Sequence, residues 1–187
     1  TGGGYSLGYI TKQQRILIVD DSEINRAILV GMLSKSYACV EAENGEQAVS
    51  MLQEDSSIDL VLLDLVMPGM DGFAVLSVMN EKHWIDTIPV IMISFQSDST
   101  SVERCYQMGA TDYISRPFEK AEVRQRIQNT LNLYARQKQL QQMVQDQLYQ
   151  RTRSNLLIDI LSHIVEFRNG EHMLHMQRMR VLVDMLL

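Results

Sequence analysis

Five short apolar runs, at 15–19, 37–41, 59–63, 89–93 and 111–114, constrain this chain most. Each is too short to make a helix, and an amphipathic stretch of helix length separates each from the next. Strands alternating with helices argue for an α/β fold on a parallel sheet with helices on both faces. Runs 59–63 and 89–93 are apolar almost throughout, so they are expected at the sheet's centre, buried on both sides. Capping residues stand where the helices would begin: Ser22, Asn44-Gly45, Asp71-Gly72 and Ser97-Asp98-Ser99.

The residues that close these runs are polar and of particular kinds. Asp20-Asp21 follow Ile16-Leu17-Ile18-Val19, and Asp64 follows Leu60-Val61-Leu62-Leu63. Ser94 follows Ile91-Met92-Ile93, and Arg116-Pro117-Phe118 follows the fifth run. In an open α/β sheet, functional groups gather beyond the C-terminal strand ends. Three carboxylates there repel one another unless a cation joins them, and oxygen donors of this type suit Mg2+. The metal would neutralise the cluster and polarise a phosphoryl group. A carboxylate is itself able to attack phosphorus and form an acyl phosphate. Ser94 offers a hydroxyl to a phosphoryl oxygen, and Arg116 a fixed cation at the rim. Phosphoryl transfer asks mainly for positioning and charge neutralisation, and this set supplies both. Taken singly, each residue has a plainer role: an Asp after a strand is often a helix cap or an Asx turn. Four suitable strand ends together favour the chemical reading.

The net charge of −6 argues against nucleic-acid binding by this chain. No apolar stretch approaches the roughly 20 residues needed to span a bilayer, so membrane insertion is not expected. Residues 1–13 are Gly-rich and polar and read as a disordered tail or an expression remnant. Cys39 and Cys105 are too few for a disulfide framework or a zinc site and are expected to be buried or half-buried thiols, which suits a cytoplasmic location.

Beyond Glu119 the composition changes. From Ala121 to Ser154 the chain is rich in Gln and Arg, with apolar residues at Val123, Ile127, Leu131 and Tyr134, then Leu140, Met143, Val144 and Leu148. Residues 134–154 are therefore expected to form a connecting helix whose thin apolar stripe pairs with a copy of itself. Lys138, Gln141 and Gln147 interrupt the heptad pattern. From Asn155 the chain turns apolar again, and Arg168-Asn169-Gly170 reads as a turn between two helices. Residues 155–187 would then be the truncated helical start of a second domain.

Residues 15–133 resemble a response-regulator receiver domain, here bounded at 14–133. The resemblance rests on Asp20-Asp21, Asp64 with Met67-Pro68-Gly69-Met70-Asp71-Gly72, Ser94, Gly109-Ala110, Tyr113 and Arg116-Pro117-Phe118. It implies a flavodoxin-like, doubly wound (βα)5 fold and phosphorylation of Asp64 by a sensor histidine kinase. It also implies Mg2+ at Asp21, Asp64 and the Val66 backbone carbonyl, with Asp20 joining through water. Ser94 and Tyr113 would form the switch, relaying the change through the helix of a homodimer paired by that helix, by a receiver face, or by both. Three positions depart from the family's usual residues. Arg116 stands in place of Lys, Phe95 in place of Ala or Gly, and Val66 offers no polar group to orient a hydrolytic water. A bulky Phe95 is expected to restrict access to Asp64, and slow loss of phosphate is expected from Val66.

Glu166-Phe167-Arg168-Asn169-Gly170-Glu171 and His175 resemble the opening of an HD-GYP phosphodiesterase domain. Glu171 and His175, four apart, would share one helix face. The resemblance implies that they are output-domain metal ligands and that a longer parent hydrolyses cyclic di-GMP under receiver control. The family's later His-Asp and Gly-Tyr-Pro segments do not occur in these residues, so this chain holds no complete output catalytic centre. The rival reading is a phosphorylation-independent pseudo-receiver that dimerises and docks a partner. A metal-dependent phosphatase would need a carboxylate where Val66 stands.

Overall fold

The computed structural model describes residues 13–95 and 99–184, and side chains as far as 158 and at 160. Five strands alternate with helices: β1 (Arg15–Val19), α1 (Glu23–Leu33), β2 (Ala38–Ala42), α2 (Gly45–Glu54), β3 (Ile58–Asp64), α3 (Gly72–Glu81), β4 (Val90–Ser94), α4 (Ser99–Gln107), β5 (Asp112–Ser115) and α5 (Lys120–Asp184). A 3-10 turn at Trp84–Asp86 lies between α3 and β4. All strands are parallel, in the order β2-β1-β3-β4-β5. This is the expected (βα)5 doubly wound sheet. The strand bounds differ from the sequence reading by a residue or so, and β3 and β4 include Asp64 and Ser94 themselves.

The apolar runs are continuous because the central strands bury both faces. Leu17, Val19, Val61, Leu63 and Met92 point to one side, where Ala48 and Leu52 of α2, Val75, Leu76 and Met79 of α3 and Cys105 of α4 cover them. Ile16, Ile18, Leu60, Leu62, Ile91 and Ile93 point to the other side, under Leu29 and Leu33 of α1 and Val123, Ile127 and Leu131 of α5. Each such buried aliphatic side chain contributes about 1.5–3 kcal/mol. Cys105 is buried and Cys39 half-buried, as expected.

Three helix starts are capped by the predicted residues. Ser22 Oγ accepts from Asn25 N, Asn44 Oδ1 from Gln47 N at 2.8 Å, and Asp71 Oδ1 from Ala74 N at 2.8 Å. Ser97 and Asp98 lie outside the described residues. Gly72 is fixed by close packing: a Cβ there would sit 2.5 Å from the Asp64 carbonyl oxygen. Only a glycine lets α3 start against the end of β3, where Gly72 N donates to Leu65 O at 3.0 Å.

The chain divides into two units between Arg136 and Gln137. In the first, the opening turns of α5 bury Val123, Ile127 and Leu131 at helical spacing. In the second, Leu140, Met143, Val144 and Leu148 are exposed. The turn expected at Arg168-Asn169-Gly170 is not formed, because α5 runs unbroken through it to Asp184. The segment lacks proline, and one glycine inside a helix costs only about 1 kcal/mol relative to alanine. Glu171 and His175 fall on this helix with their side chains outside the described residues, and the expected tail at 1–12 also lies outside them. No helix among the described residues is long and apolar enough to cross a membrane.

Candidate functional site

Parallel strands end at one edge, so the residues that close them converge there. β1 and β3 pair Val19 with Leu63, which brings Asp20 level with Asp64 on the neighbouring strand. β3 pairs Asp64 with Ile93, and β4 pairs Ser94 with Ser115, one residue before Arg116. The sequence-predicted set of Asp20, Asp21, Asp64, Ser94 and Arg116 is thus brought to a single edge. Asp20, Asp64 and Ser94 are buried, and Asp21 is exposed.

One carboxylate oxygen each from Asp20, Asp21 and Asp64 lies within 4.8 Å of the others. The donor chemistry suits a hard divalent cation: oxygen ligands only, and an exposed Asp21 through which an ion enters from solvent. Burial pushes the Asp64 carboxyl up from 3.8 to about 6. The Arg116 guanidinium opposes that rise, while the charge of Asp20 adds to it.

Arg116 is not a rim cation. Its side chain is 5% exposed, and its Nη2 donates to Asp20 Oδ2 while lying 3.9 Å from Asp64 Oδ1. Asp20 would be costly to bury as a bare charge, so the fold engages it from every side. Oδ1 accepts from Ser22 N at 2.8 Å and Asn25 Nδ2 at 3.1 Å, and the backbone carbonyl accepts from Arg26 Nη1 at 2.9 Å. Arg116 lies over two rings, its Cζ 5.2 Å from the Phe95 centroid and 5.9 Å from that of Phe118. Its Nε is buried with no hydrogen-bond partner among the described residues. Phe95 itself is 70% exposed and Val66 56% exposed. Tyr113 is buried on β5, packed in the cluster that includes Met92 and Cys105.

Asn25, Arg26 and the stacking role of Phe118 were not anticipated from the sequence. Asn25 had a signal, since it lies one turn into the helix that Ser22 caps. The aromatic next to Arg116-Pro117 was visible, but not its use.

Residues 16–128 match the family described as "Response regulator receiver domain". Among curated proteins, the chain is 32% identical over 109 residues to the two-component response regulator ORR5 of rice (Oryza sativa), covering 58% of this chain and 81% of that one. It is 36% identical over 122 residues to the transcriptional regulatory protein ResD of Bacillus subtilis, covering 65% of this chain and 49% of ResD. It therefore spans about half the length of that relative. Among solved structures, it is similar to the CheX-CheY-BeF3-Mg+2 complex from Borrelia burgdorferi, at 33% identity and a TM-score of 0.57, over 63% of this chain and 88% of the other. A receiver domain of the CheY-like type from Methanospirillum hungatei, at 21% identity and a TM-score of 0.62, over 67% of this chain and 98% of the other, shares the fold.

Proposed function

This chain belongs to the response regulator receiver domain family, and from that premise we propose that it accepts a phosphoryl group on Asp64 from a sensor histidine kinase. The observation that carries this reading is the convergence of a buried Asp64 with Asp20, Asp21, Ser94 and Arg116 at one sheet edge. An Asp64 carboxylate oxygen attacks the phosphorus of a phosphohistidine. The O–P bond forms as the P–N bond breaks, and that bond's electron pair returns to the imidazole. Arg116 and the Ser94 hydroxyl take the phosphoryl oxygens. Asp21, Asp64 and the Val66 carbonyl would hold Mg2+, with Asp20 joining through water; the ion supplies charge neutralisation and phosphoryl polarisation. A structure related at 33% identity contains both beryllofluoride and Mg2+, which supports the assignment.

Ser94 and the buried Tyr113 are the proposed switch, with the added charge biasing a two-state element. The signal would pass along α5 in a homodimer to an output domain. We read that output as a cyclic di-GMP phosphodiesterase in a longer parent, with Glu171 and His175 among its metal ligands, acting in the cytoplasm. The domain bounds proposed are 14–133 for the receiver, 134–154 for the connecting helix and 155–187 for the start of the output domain.

A second reading has one observation in its favour. Arg116 already pairs with Asp20, and such internal neutralisation suits a pseudo-receiver that docks a partner without phosphate. Labelling with a small phosphodonor in Mg2+ separates the two. Wild type is expected to form an acyl phosphate and Asp64→Asn none. Labelling that persists in Asp64→Asn would remove Asp64 as the acceptor, and a wild type inert to both phosphodonor and beryllofluoride would favour the docking module.

A further inference from the structure

Resting on the phosphoacceptor reading above, we propose that Arg116 is a tethered counter-cation that competes with Mg2+ for the acidic trio, held in place by Phe95 and Phe118. Both carboxylate oxygens of Asp20 are engaged: Oδ1 by Ser22 N and Asn25 Nδ2, Oδ2 by the Arg116 guanidinium. The same guanidinium lies 3.9 Å from Asp64 Oδ1. One positive charge thus already sits among the three carboxylates that would attract the ion. Mg2+ must bind against that charge or displace it.

The two rings explain why the cation stays. A guanidinium is planar and weakly hydrated, so it stacks on aromatic faces where an ammonium would keep its water. Phe95 and Phe118 cover Arg116 at 5.2 and 5.9 Å, leaving the side chain 5% exposed, while Phe95 turns its own outer surface to solvent. An exposed phenylalanine directly after Ser94 is hard to account for by packing into the core. It is accounted for by covering Arg116. The buried Nε, without an acceptor among the described residues, leaves the guanidinium incompletely satisfied, so a divalent ion competes with it and is not excluded. Phe95 and Phe118 are therefore positioning residues that set the Mg2+ affinity through Arg116.

Calorimetric titration of Mg2+ into the whole chain tests this. Arg116→Gln keeps an N–H for Asp20 but removes the charge, and it is expected to bind Mg2+ about tenfold more tightly than wild type. Phe95→Ala, which returns water to the guanidinium, is expected to gain about threefold. Arg116→Lys keeps the charge and is expected to stay within about threefold of wild type. Equal or weaker affinity in Arg116→Gln would overturn the proposal, as would a gain in Arg116→Lys as large as that in Arg116→Gln. Acyl-phosphate formation by wild type at saturating Mg2+ is measured separately. Its failure would remove the phosphoacceptor reading, whereas a flat affinity series with normal labelling would remove only the competition.

Discussion

Two regions of this molecule invert the usual rule of burial, and they do so in opposite directions. At the C-terminal edge of the sheet, charged groups are inside: Asp20 is fully buried, Asp64 is 7% exposed, and the Arg116 side chain is 5% exposed. Along α5 from Leu140 to Leu148, apolar groups are outside: Leu140 is 63% and Val144 56% exposed. Charged residues are rarely buried unless paired, and contiguous apolar surface marks an interaction site. The first inversion costs stability in the folded chain itself. The second costs the isolated chain little and gains only when something covers it. Substitutions at the sheet edge should therefore be felt in folding, and those on the distal helix in association.

The largest effect is expected at Arg116. In Arg116→Ala, measured in EDTA, the Asp20 and Asp64 carboxylates lose the buried guanidinium that pairs with Asp20 and lies 3.9 Å from Asp64 Oδ1. Breaking a buried pair by removing one partner typically costs about 3–5 kcal/mol, because the other charge is left uncompensated. Urea unfolding of wild type and variant measures the loss. A cost below about 1 kcal/mol would show that the edge is wet enough to behave as surface, and the contrast between the two regions would collapse.

Asp64 gives the next effect and a sign that is easily checked. Its folded value of about 6 lies above the ordinary 3.8, chiefly because of burial. The folded state therefore favours the protonated carboxyl. Its contribution is fully present below about pH 4 and is lost as the pH rises through 6. Asparagine is neutral throughout. In EDTA, Asp64→Asn should match wild type near pH 4 and exceed it above pH 7 by about 1–3 kcal/mol, the lower end reflecting solvent screening of a partly wet site. Denaturation curves across that range test it, and a difference that stays constant with pH would refute the burial argument.

How legible each region was in the sequence follows from the same contrast. The sheet edge could be read because parallel strands bring their closing residues together whatever the details, so Asp20, Asp64, Ser94 and Arg116 needed only their order. Their pairing could not be read. Arg116 and Asp20 are 96 residues apart, and nothing local says that the guanidinium reaches inward to Asp20 and does not stay at the rim. Phe118 showed as an aromatic beside a cation, but stacking depends on a loop conformation that composition does not reveal. In α5, helical periodicity was plain from Val123 onward. It could not distinguish the stripe that Ile16, Ile18 and Ile114 cover from the stripe at Leu140–Leu148, which is exposed among the described residues. Arg168-Asn169-Gly170 has the composition of a turn, yet glycine's helix penalty is small enough for its neighbours to carry the helix through.

The smallest effect on folding is expected on the distal helix, and there the smallness is the test. Leu140 and Val144 are four residues apart, so they form one step of the exposed stripe. Leu140→Ala and Val144→Ala should each change unfolding free energy by no more than about 0.5 kcal/mol in dilute solution, as surface substitutions do. Ile127→Ala, buried in the same helix, should cost about 2–5 kcal/mol. If the stripe pairs with a second copy, the double variant Leu140→Ala/Val144→Ala should move the sedimentation boundary toward monomer at concentrations where wild type is dimeric. A wild type that is monomeric at every accessible concentration would leave the stripe without its proposed partner. A dilute-solution stability loss as large as that of Ile127→Ala would instead mean that these side chains are covered within a single chain, and the inversion on which the comparison rests would not exist.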